Sequence, residues 1–277
     1  MVTVNLSITG LNISVTPEGT PQFLPSASDK TTSEASVSRI AISIFDANTD
    51  TLVKSITETS SSSDFGQDKT ITLPTGSYKV VVVAHAVIND TDPVATITSP
   101  SAVSFGSVIL ANPTYTKVQQ VTIADATSQT VTIDMGTRRN ASFALLFADA
   151  NPSDVAKLQF IISPSDNPYT DLIIDPSSGL ATQQWCYQRT WTFANLSKFK
   201  NTKGVTFTLP LALTATSQNL DIIINALSNS DVVLYTRTLE DVPLQQAHRT
   251  LATGNFFNTL TAPLTYDITE ITDTISI

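Results

Sequence analysis

Hydrophobic and polar residues alternate along most of this chain. In the first segment every second residue is apolar, as expected of a strand with one face in a core. The residues on that face are Val2, Val4, Leu6 and Ile8. Gly10 then shifts the phase, and a glycine in a strand pattern is typical of a bulge or of a strand that changes sheets. We therefore predict a first strand over residues 2–8 that buries one face.

The same alternation continues through both halves of the chain. It is regular over residues 40–44, and it is followed by the strongest strand signal, Tyr78–Ala84, which is apolar on both faces. A strand of that kind is predicted to be central and covered twice. In the second half, residues 220–224 and 232–235 flank a polar turn at 228–231, which indicates a hairpin.

These patterns predict an all-β protein made of two antiparallel β-sandwiches in series. Helical periodicity is weak, and the best helical candidate, Pro152–Leu158, is only about two turns long. Arg138 and Arg139 form the only adjacent arginine pair, at a change of composition. Since 277 residues suit two domains of about 100–150 residues, we place the boundary there. The predicted domains are residues 1–136 and residues 137–277.

Composition and charge exclude several classes of function. The chain has 24 Asp and Glu against 15 Lys and Arg, a formal net charge of −9, and such a surface repels nucleic acid. One Cys and two His do not suffice for a disulfide framework or a zinc site. No apolar run is long enough to span a bilayer, and no secretion signal precedes the first strand. The chain is therefore either cytosolic or lacks a targeting segment that preceded it.

No arrangement of residues points to catalysis. His85 and His248 are far apart in the sequence, and no Ser or acid is spaced to form a hydrolase triad with either. Residues 46–50 imitate the start of a calcium loop, but Thr51 stands where such a loop needs glycine. An Asp/Asn-rich hairpin turn is therefore favoured there. We predict a protein without enzymatic activity, catalytic residues, a cofactor or a bound metal.

An aromatic group supports an alternative function. Its members are Trp185, Tyr187 and Trp191. Trp185 and Tyr187 share a strand face, and aromatic faces bind sugar rings, so the chain could be a surface glycan-binding β-sandwich module. The competing interpretation is core packing, because each sandwich needs large side chains for its own core.

The order of the segments resembles that of a known family. A first strand, VTVNLSITG, is followed by a long loop and then by SVSRIAISIFDANTDTLV and LPTGSYKVVVVAH. RRNASFALLF opens the second half, and VPLQQAHRTLATGNFF comes near the end. In this order the chain resembles the fimbrillin superfamily, which comprises the subunits of type V pili and their anchor and tip relatives in Bacteroidota. The resemblance covers essentially the whole chain.

This resemblance implies two tandem transthyretin-like antiparallel β-sandwich domains and a structural or adhesive role in a fimbria, or pilus, at the cell surface. It also implies export as a lipoprotein, with cell adhesion as the outcome. The lipid-bearing cysteine would lie upstream of Met1, so the outer membrane would hold the protein only through an anchor that precedes this chain. The implied partners are other fimbrial subunits, joined by β-strand complementation (donor strand exchange), and a host or bacterial surface ligand.

Removing the first strand would leave an apolar groove. Burial of one aliphatic side chain is worth about 1.5–3 kcal/mol, so four of them contribute roughly 6–12 kcal/mol as an upper estimate. A whole domain is stable by only about 5–15 kcal/mol. The groove must therefore stay filled, by Val2, Val4, Leu6 and Ile8 or by another strand. In the family a partner subunit supplies that other strand.

The carboxyl-terminal tail is a candidate donor strand. Its alternating apolar residues are Leu264, Tyr266 and Ile268 on one face and, in the opposite phase, Ile271, Ile275 and Ile277. The competing interpretation is an ordinary last strand of the second sandwich, with a bulge near Thr269–Glu270.

The loop after the first strand is a candidate site of maturation. In polymerising members of the family, a trypsin-like protease cuts this loop and releases the strand. Residues 11–36 here contain no Arg, and their only basic residue is Lys30. Two outcomes stay open: cleavage after Lys30, which fits a stalk subunit, or retention of the strand, which fits an anchor, a tip or a subunit that does not polymerise.

Overall fold

The computed structural model describes most of the chain, namely residues 1–11, 37–87, 92–106, 114–162, 171–183, 187–192, 206–257 and 264–270. These residues form nineteen β-strands and no α-helix, which confirms the all-β prediction. Among them, accordingly, there is no helix with the length and apolar character needed to cross a bilayer.

The strands are numbered in chain order. Those of the first half are β1 Val2–Thr9, β2 Arg39–Asp46, β3 Leu52–Thr59, β4 Lys69–Leu73, β5 Gly76–His85, β6 Thr96–Ser99, β7 Ala102–Ser104, β8 Thr114–Ile123 and β9 Ser128–Asp134. Those of the second half are β10 Ala141–Phe147, β11 Lys157–Ile162, β12 Ile173–Asp175, β13 Leu180–Ala181, β14 Tyr187–Thr192, β15 Thr206–Leu211, β16 Ser217–Leu227, β17 Val233–Gln245, β18 His248–Gly254 and β19 Thr265–Glu270.

The strands are arranged in five sheets, called A to E here. Sheet A has the order β4-β1-β9, sheet B β3-β2-β5-β8, sheet C β13-β12-β7-β6, sheet D β15-β10-β18-β19 and sheet E β14-β11-β16-β17. Neighbouring strands are antiparallel except for two pairs, β1 with β9 and β10 with β18, which are parallel. The predicted hairpin of the second half is confirmed as β16 and β17.

Both halves of the chain repeat one strand order. The first strand of each half, β1 or β10, lies between an antiparallel neighbour, β4 or β15, and a parallel neighbour, β9 or β18. The order β3-β2-β5-β8 of sheet B likewise corresponds to β14-β11-β16-β17 of sheet E. Strand β19, beside β18, is an addition without a counterpart among the described strands of sheet A. The two halves thus share one strand order, and the division into two sandwiches remains a prediction.

Strand β5 lies inside sheet B and is buried on both faces, as its sequence predicts. Val80 and Val82 belong to an apolar cluster formed entirely by the first half of the chain. Val81 and Val83, on the opposite face, belong to a second and larger cluster that continues into the second half. Sheet B therefore separates the two cores and contributes to both.

Sheet C joins the two halves of the chain. Its strands β6 and β7 come from the first half and β12 and β13 from the second, and Val103 of β7 pairs with Ile174 of β12. Both residues are buried in the larger cluster. The domains 1–136 and 137–277 remain a prediction, and with this shared sheet they would be in direct contact.

The connection between the halves is packed into the structure. The side chain of Arg138 is only 1% exposed, and the Arg139 amide donates to the Thr114 carbonyl at 2.8 Å. Asn140 accepts a hydrogen bond from the Thr114 amide at 2.9 Å. Gly179, at φ +73°, faces the Arg139 side chain so closely that any Cβ there would overlap it. The arginine pair thus marks a tightly held crossing rather than an exposed linker.

The weak helical candidate over Pro152–Leu158 does not form a helix, in agreement with the all-β prediction. The Val155 amide donates to the Pro152 carbonyl at 3.2 Å and closes a single turn. The next amide, that of Ala156, donates to the Leu227 carbonyl at 2.8 Å, so the backbone already bonds to a neighbouring segment. The apolar residues that suggested a helix are buried by this turn and by the start of β11.

Candidate functional site

The candidate site is the groove that holds β1. This strand is the central member of sheet A, where its residue Val4 stands opposite Ile71 of β4 and Gln129 of β9. Its two neighbours come from distant parts of the chain, residues 69–73 and 128–134. The pairing of β1 therefore does not depend on a tight turn to the strand that follows it in sequence.

The predicted inward face of β1 lies against the core of the first half. Val2, Val4 and Leu6 are 1–2% exposed, and Ile8 is partly buried at the edge of the same cluster. Opposite them lie residues of sheet B, Ile44 among them. The four residues thus share one face, while their role as a replaceable filler remains a prediction.

Gly10 marks the end of β1. Its backbone has φ +75°, in the left-handed region that favours glycine, and a Cβ there would lie 2.6 Å from the Asp134 carboxylate. Just before it, the Thr9 carbonyl accepts a hydrogen bond from the Met135 amide at 3.0 Å. The glycine thus lets the chain leave sheet A close to the end of β9.

The carboxyl-terminal tail forms β19, an edge strand of sheet D. In β19, Tyr266 stands opposite Ala252 and Ile268 opposite Thr250 of β18. Every residue of β19 is exposed, with Tyr266 at 37% and Ile268 at 42%, whereas Leu264 packs partly against the larger cluster. The pairing is regular from Thr265 to Glu270, so β19 itself contains no bulge at Thr269–Glu270. Ile271, Ile275 and Ile277 lie outside the described residues, and the donor role remains a prediction.

The other predicted sites fall largely outside the described residues. This holds for Trp185 of the aromatic group and for Lys30, the candidate cleavage position. Tyr187 and Trp191 belong to β14, at the edge of sheet E, where their backbones pair with Ile162 and Leu158 of β11. The glycan platform therefore stays a prediction.

The segment that imitates a calcium loop is a hydrogen-bonded turn. Oδ1 of Asp46 accepts bonds from the Asn48 amide at 2.9 Å and from the Thr49 amide at 3.0 Å. These backbone bonds hold the pKa of Asp46 below its ordinary value. The carboxylate oxygen that a cation would need is thus occupied by the turn itself, and the favoured interpretation as a hairpin turn is confirmed.

His85 is a buried structural residue. Its ring is 2% exposed, Nδ1 lies 2.9 Å from the Ala86 carbonyl, and the Ala95 amide donates to Nε2 at 3.1 Å. These partners assign the neutral form that carries its proton on Nδ1. Phe105 packs against the ring edge at 5.3 Å. Burial lowers the pKa of His85 to about 4, and the nearby charge of Arg39 acts in the same direction.

The buried histidine predicts a specific loss of stability in mild acid. The unfolded chain gains a proton at His85 near pH 6.5, whereas the folded protein gains it only near pH 4. The stability from the neutral ring is therefore complete above about pH 6.5 and is lost as the pH falls towards 4. The full shift corresponds to about 3 kcal/mol in the free energy of unfolding.

Urea unfolding between pH 7 and pH 4 tests this expectation. His85→Gln should unfold more easily at neutral pH and should show a shallower fall in stability over this range than the parent. His248→Gln is the matched control and should keep the parent slope. An unchanged slope in His85→Gln would contradict the assignment of a neutral buried ring.

A comparison with models of known protein families finds a match. The model of a family described as fimbrillin-A associated anchor proteins Mfa1 and Mfa2 matches residues 9–237. A comparison with curated proteins finds no match.

Several solved structures match this chain at low sequence identity. A candidate adhesin from Bacteroides thetaiotaomicron VPI-5482 is 11% identical with a TM-score of 0.53, and the match covers 96% of this chain and 95% of that one. A candidate polysaccharide-binding protein from the same organism is 9% identical with a TM-score of 0.51 and 99% coverage of both chains. The fimbrial anchor protein Mfa2 from Porphyromonas gingivalis is 8% identical with a TM-score of 0.48 and 96% coverage of both.

Proposed function

Because this chain belongs to the family of fimbrillin-A associated anchor proteins, we propose that it is a fimbrial accessory subunit that joins other subunits by strand addition in the β1 groove. The family match confirms the fimbrillin resemblance of the sequence. It also confirms the prediction of a protein without enzymatic activity, since the family consists of anchor proteins. Export as a lipoprotein and attachment to the outer membrane through a preceding lipid anchor belong to the same proposal.

The observation that carries the proposal is the placement of β1. It is the central strand of sheet A, and it buries Val2, Val4 and Leu6. A strand from another molecule could supply the same hydrogen bonds and the same apolar face. Such a strand would have to run antiparallel to β4 and parallel to β9.

The exposed side chains of the tail suggest that it can add as a strand to another subunit. Tyr266 and Ile268 are large apolar residues that their own chain leaves exposed. In the groove of another subunit, the face that carries them would be buried. We therefore propose the tail from Leu264 onward as the donor segment and the β1 groove as the acceptor.

An exchange experiment tests the proposal. A specific protease site is inserted after Lys30 in the full chain, and the folded protein is cut there, so that β1 is no longer covalently attached. A fluorescent peptide of residues 1–10 in excess is expected to replace β1 and to migrate with the protein in gel filtration. The same peptide with Val4→Asp and Leu6→Asp should not. Failure of the parent peptide to enter, even in mild urea, would contradict strand exchange.

A further inference from the structure

We infer that the β1 groove selects a side chain larger than valine at the register position of Val4, so that a strand from another subunit with such a residue binds more tightly than β1 itself. This inference rests on the proposed strand exchange. It adds to that proposal a single position that determines which strands bind best.

The first observation is a cavity beneath β1. It has a volume of about 10 Å³, and its lining includes Val4 and Leu6 of β1, Ile71 of β4 and Val80 of β5. A space of that size is close to one water-sized sphere, and apolar walls give a water no hydrogen-bond partners. It is therefore better suited to an additional methyl group. Val2 is just as buried on the same face but is not among the residues that line the cavity.

The second observation comes from the repeated strand order. The antiparallel registers of β1 and β10 begin with the pairs Val2–Leu73 and Ala141–Leu211. The parallel registers begin one residue later in both strands, at Thr3 and at Ser142. The antiparallel and the parallel neighbours therefore give the same residue-by-residue alignment of β1 with β10.

This alignment shows where the two strands differ in size. Phe143 of β10 takes the place of Val4, and Leu145 takes the place of Leu6. At the preceding inward position the second half has the smaller residue, Ala141 in place of Val2. Phe143 is completely buried. The second half thus accommodates a large side chain at the position where the first half has a valine beside a cavity.

The two observations agree on one position. A replacement strand with isoleucine in place of Val4 would extend an extra methyl group towards the cavity, in an apolar environment that is already formed. Val2 is buried but does not line this cavity, so we expect a methyl group added there to press against packed neighbours. The groove therefore distinguishes between two positions that are equally buried.

The first test uses the full chain. Val4→Ile is expected to lower the equilibrium constant of urea unfolding about fourfold, as one newly buried methyl group should. Val2→Ile, the matched control, should leave it unchanged or raise it. A Val4→Ile variant that is no more stable than the parent, or a Val2→Ile variant that gains as much, would overturn the inference.

The second test uses the chain cut after Lys30 and three labelled peptides of residues 1–10: the parent, Val4→Ile and Val2→Ile. The Val4→Ile peptide is expected to bind about fourfold more tightly than the parent peptide, and the Val2→Ile peptide no more tightly. If all three bind equally, the inference fails while strand exchange stands. If none binds, the proposed function fails, and the inference fails with it.

Discussion

Removal of residues 1–10 is expected to lower the free energy of unfolding by roughly 4–9 kcal/mol, because three fully buried aliphatic side chains lose their place in the core. These are Val2, Val4 and Leu6. A whole domain is stable by only about 5–15 kcal/mol, so few folded molecules of the first sandwich would remain. Strands β4 and β9 would also lose the partner that lies between them.

Gel filtration and urea unfolding measure this effect. The shortened chain should form aggregates or strand-exchanged oligomers, and a peptide of residues 1–10 added during refolding should restore the parent elution volume. Truncation after Leu264 is the control, because all the residues of β19, the strand that it removes, are exposed. That truncation should lower the free energy of unfolding far less than removal of residues 1–10 does. An unfolding midpoint that does not change on removal of residues 1–10 would show that β1 does not fill a groove.

Alternation in the sequence was sufficient to identify the long strands. A strand with one buried face, such as β1, alternates in character, and a strand between two cores, such as β5, is apolar throughout. Both signals are local and do not require knowledge of the partner strand. This is why the sequence predicts β1, β5 and the hairpin of β16 and β17, which together determine the all-β architecture.

The pairing of the strands of sheet C could not be predicted in this way. Its strands have two to four residues each, fewer than a period-two pattern needs, and they come from both halves of the chain. The packing of the arginine pair could not be predicted either. The sequence places the domain boundary at Arg138 and Arg139, but it does not show that Arg138 is buried or that Arg139 packs over Gly179.

Part of the candidate site follows from the sequence and part does not. The alternating residues at the start of the chain predict a strand whose loss would open a groove. The cavity beside Val4 depends on how β1, β4 and sheet B pack together, and the sequence of β1 does not show it. The correspondence between Val4 and Phe143 is not visible in the sequence either. It follows from the equivalent positions of β1 and β10 between their neighbouring strands, whereas the residues of the two strands differ.

Asp149 is a residue that sequence reasoning missed. It follows β10 as an ordinary loop acid, yet its side chain is only 3% exposed. Oδ1 accepts the Phe256 amide at 2.8 Å, and Oδ2 accepts the Phe257 amide at 2.6 Å. The rings of both phenylalanines pack against Phe147, at 5.2 and 5.3 Å. One carboxylate therefore holds the turn after β18 that brings two aromatic rings into the larger core.

Asp149→Ala is expected to lower the free energy of unfolding by about 2–6 kcal/mol, because two buried amides lose their acceptor and each costs roughly 1–3 kcal/mol when left without one. Asp149→Asn keeps the shape and one acceptor oxygen, so it should lose about half as much. Asp231→Ala is the control: this exposed acid pairs with Lys157 at 2.6 Å, and such surface pairs contribute at most about 1 kcal/mol. Urea unfolding gives the three values, and hydrogen exchange at the Phe256 amide should accelerate in Asp149→Ala beyond the global change. A value for Asp149→Ala no larger than that for Asp231→Ala would mean that the carboxylate does not hold the turn.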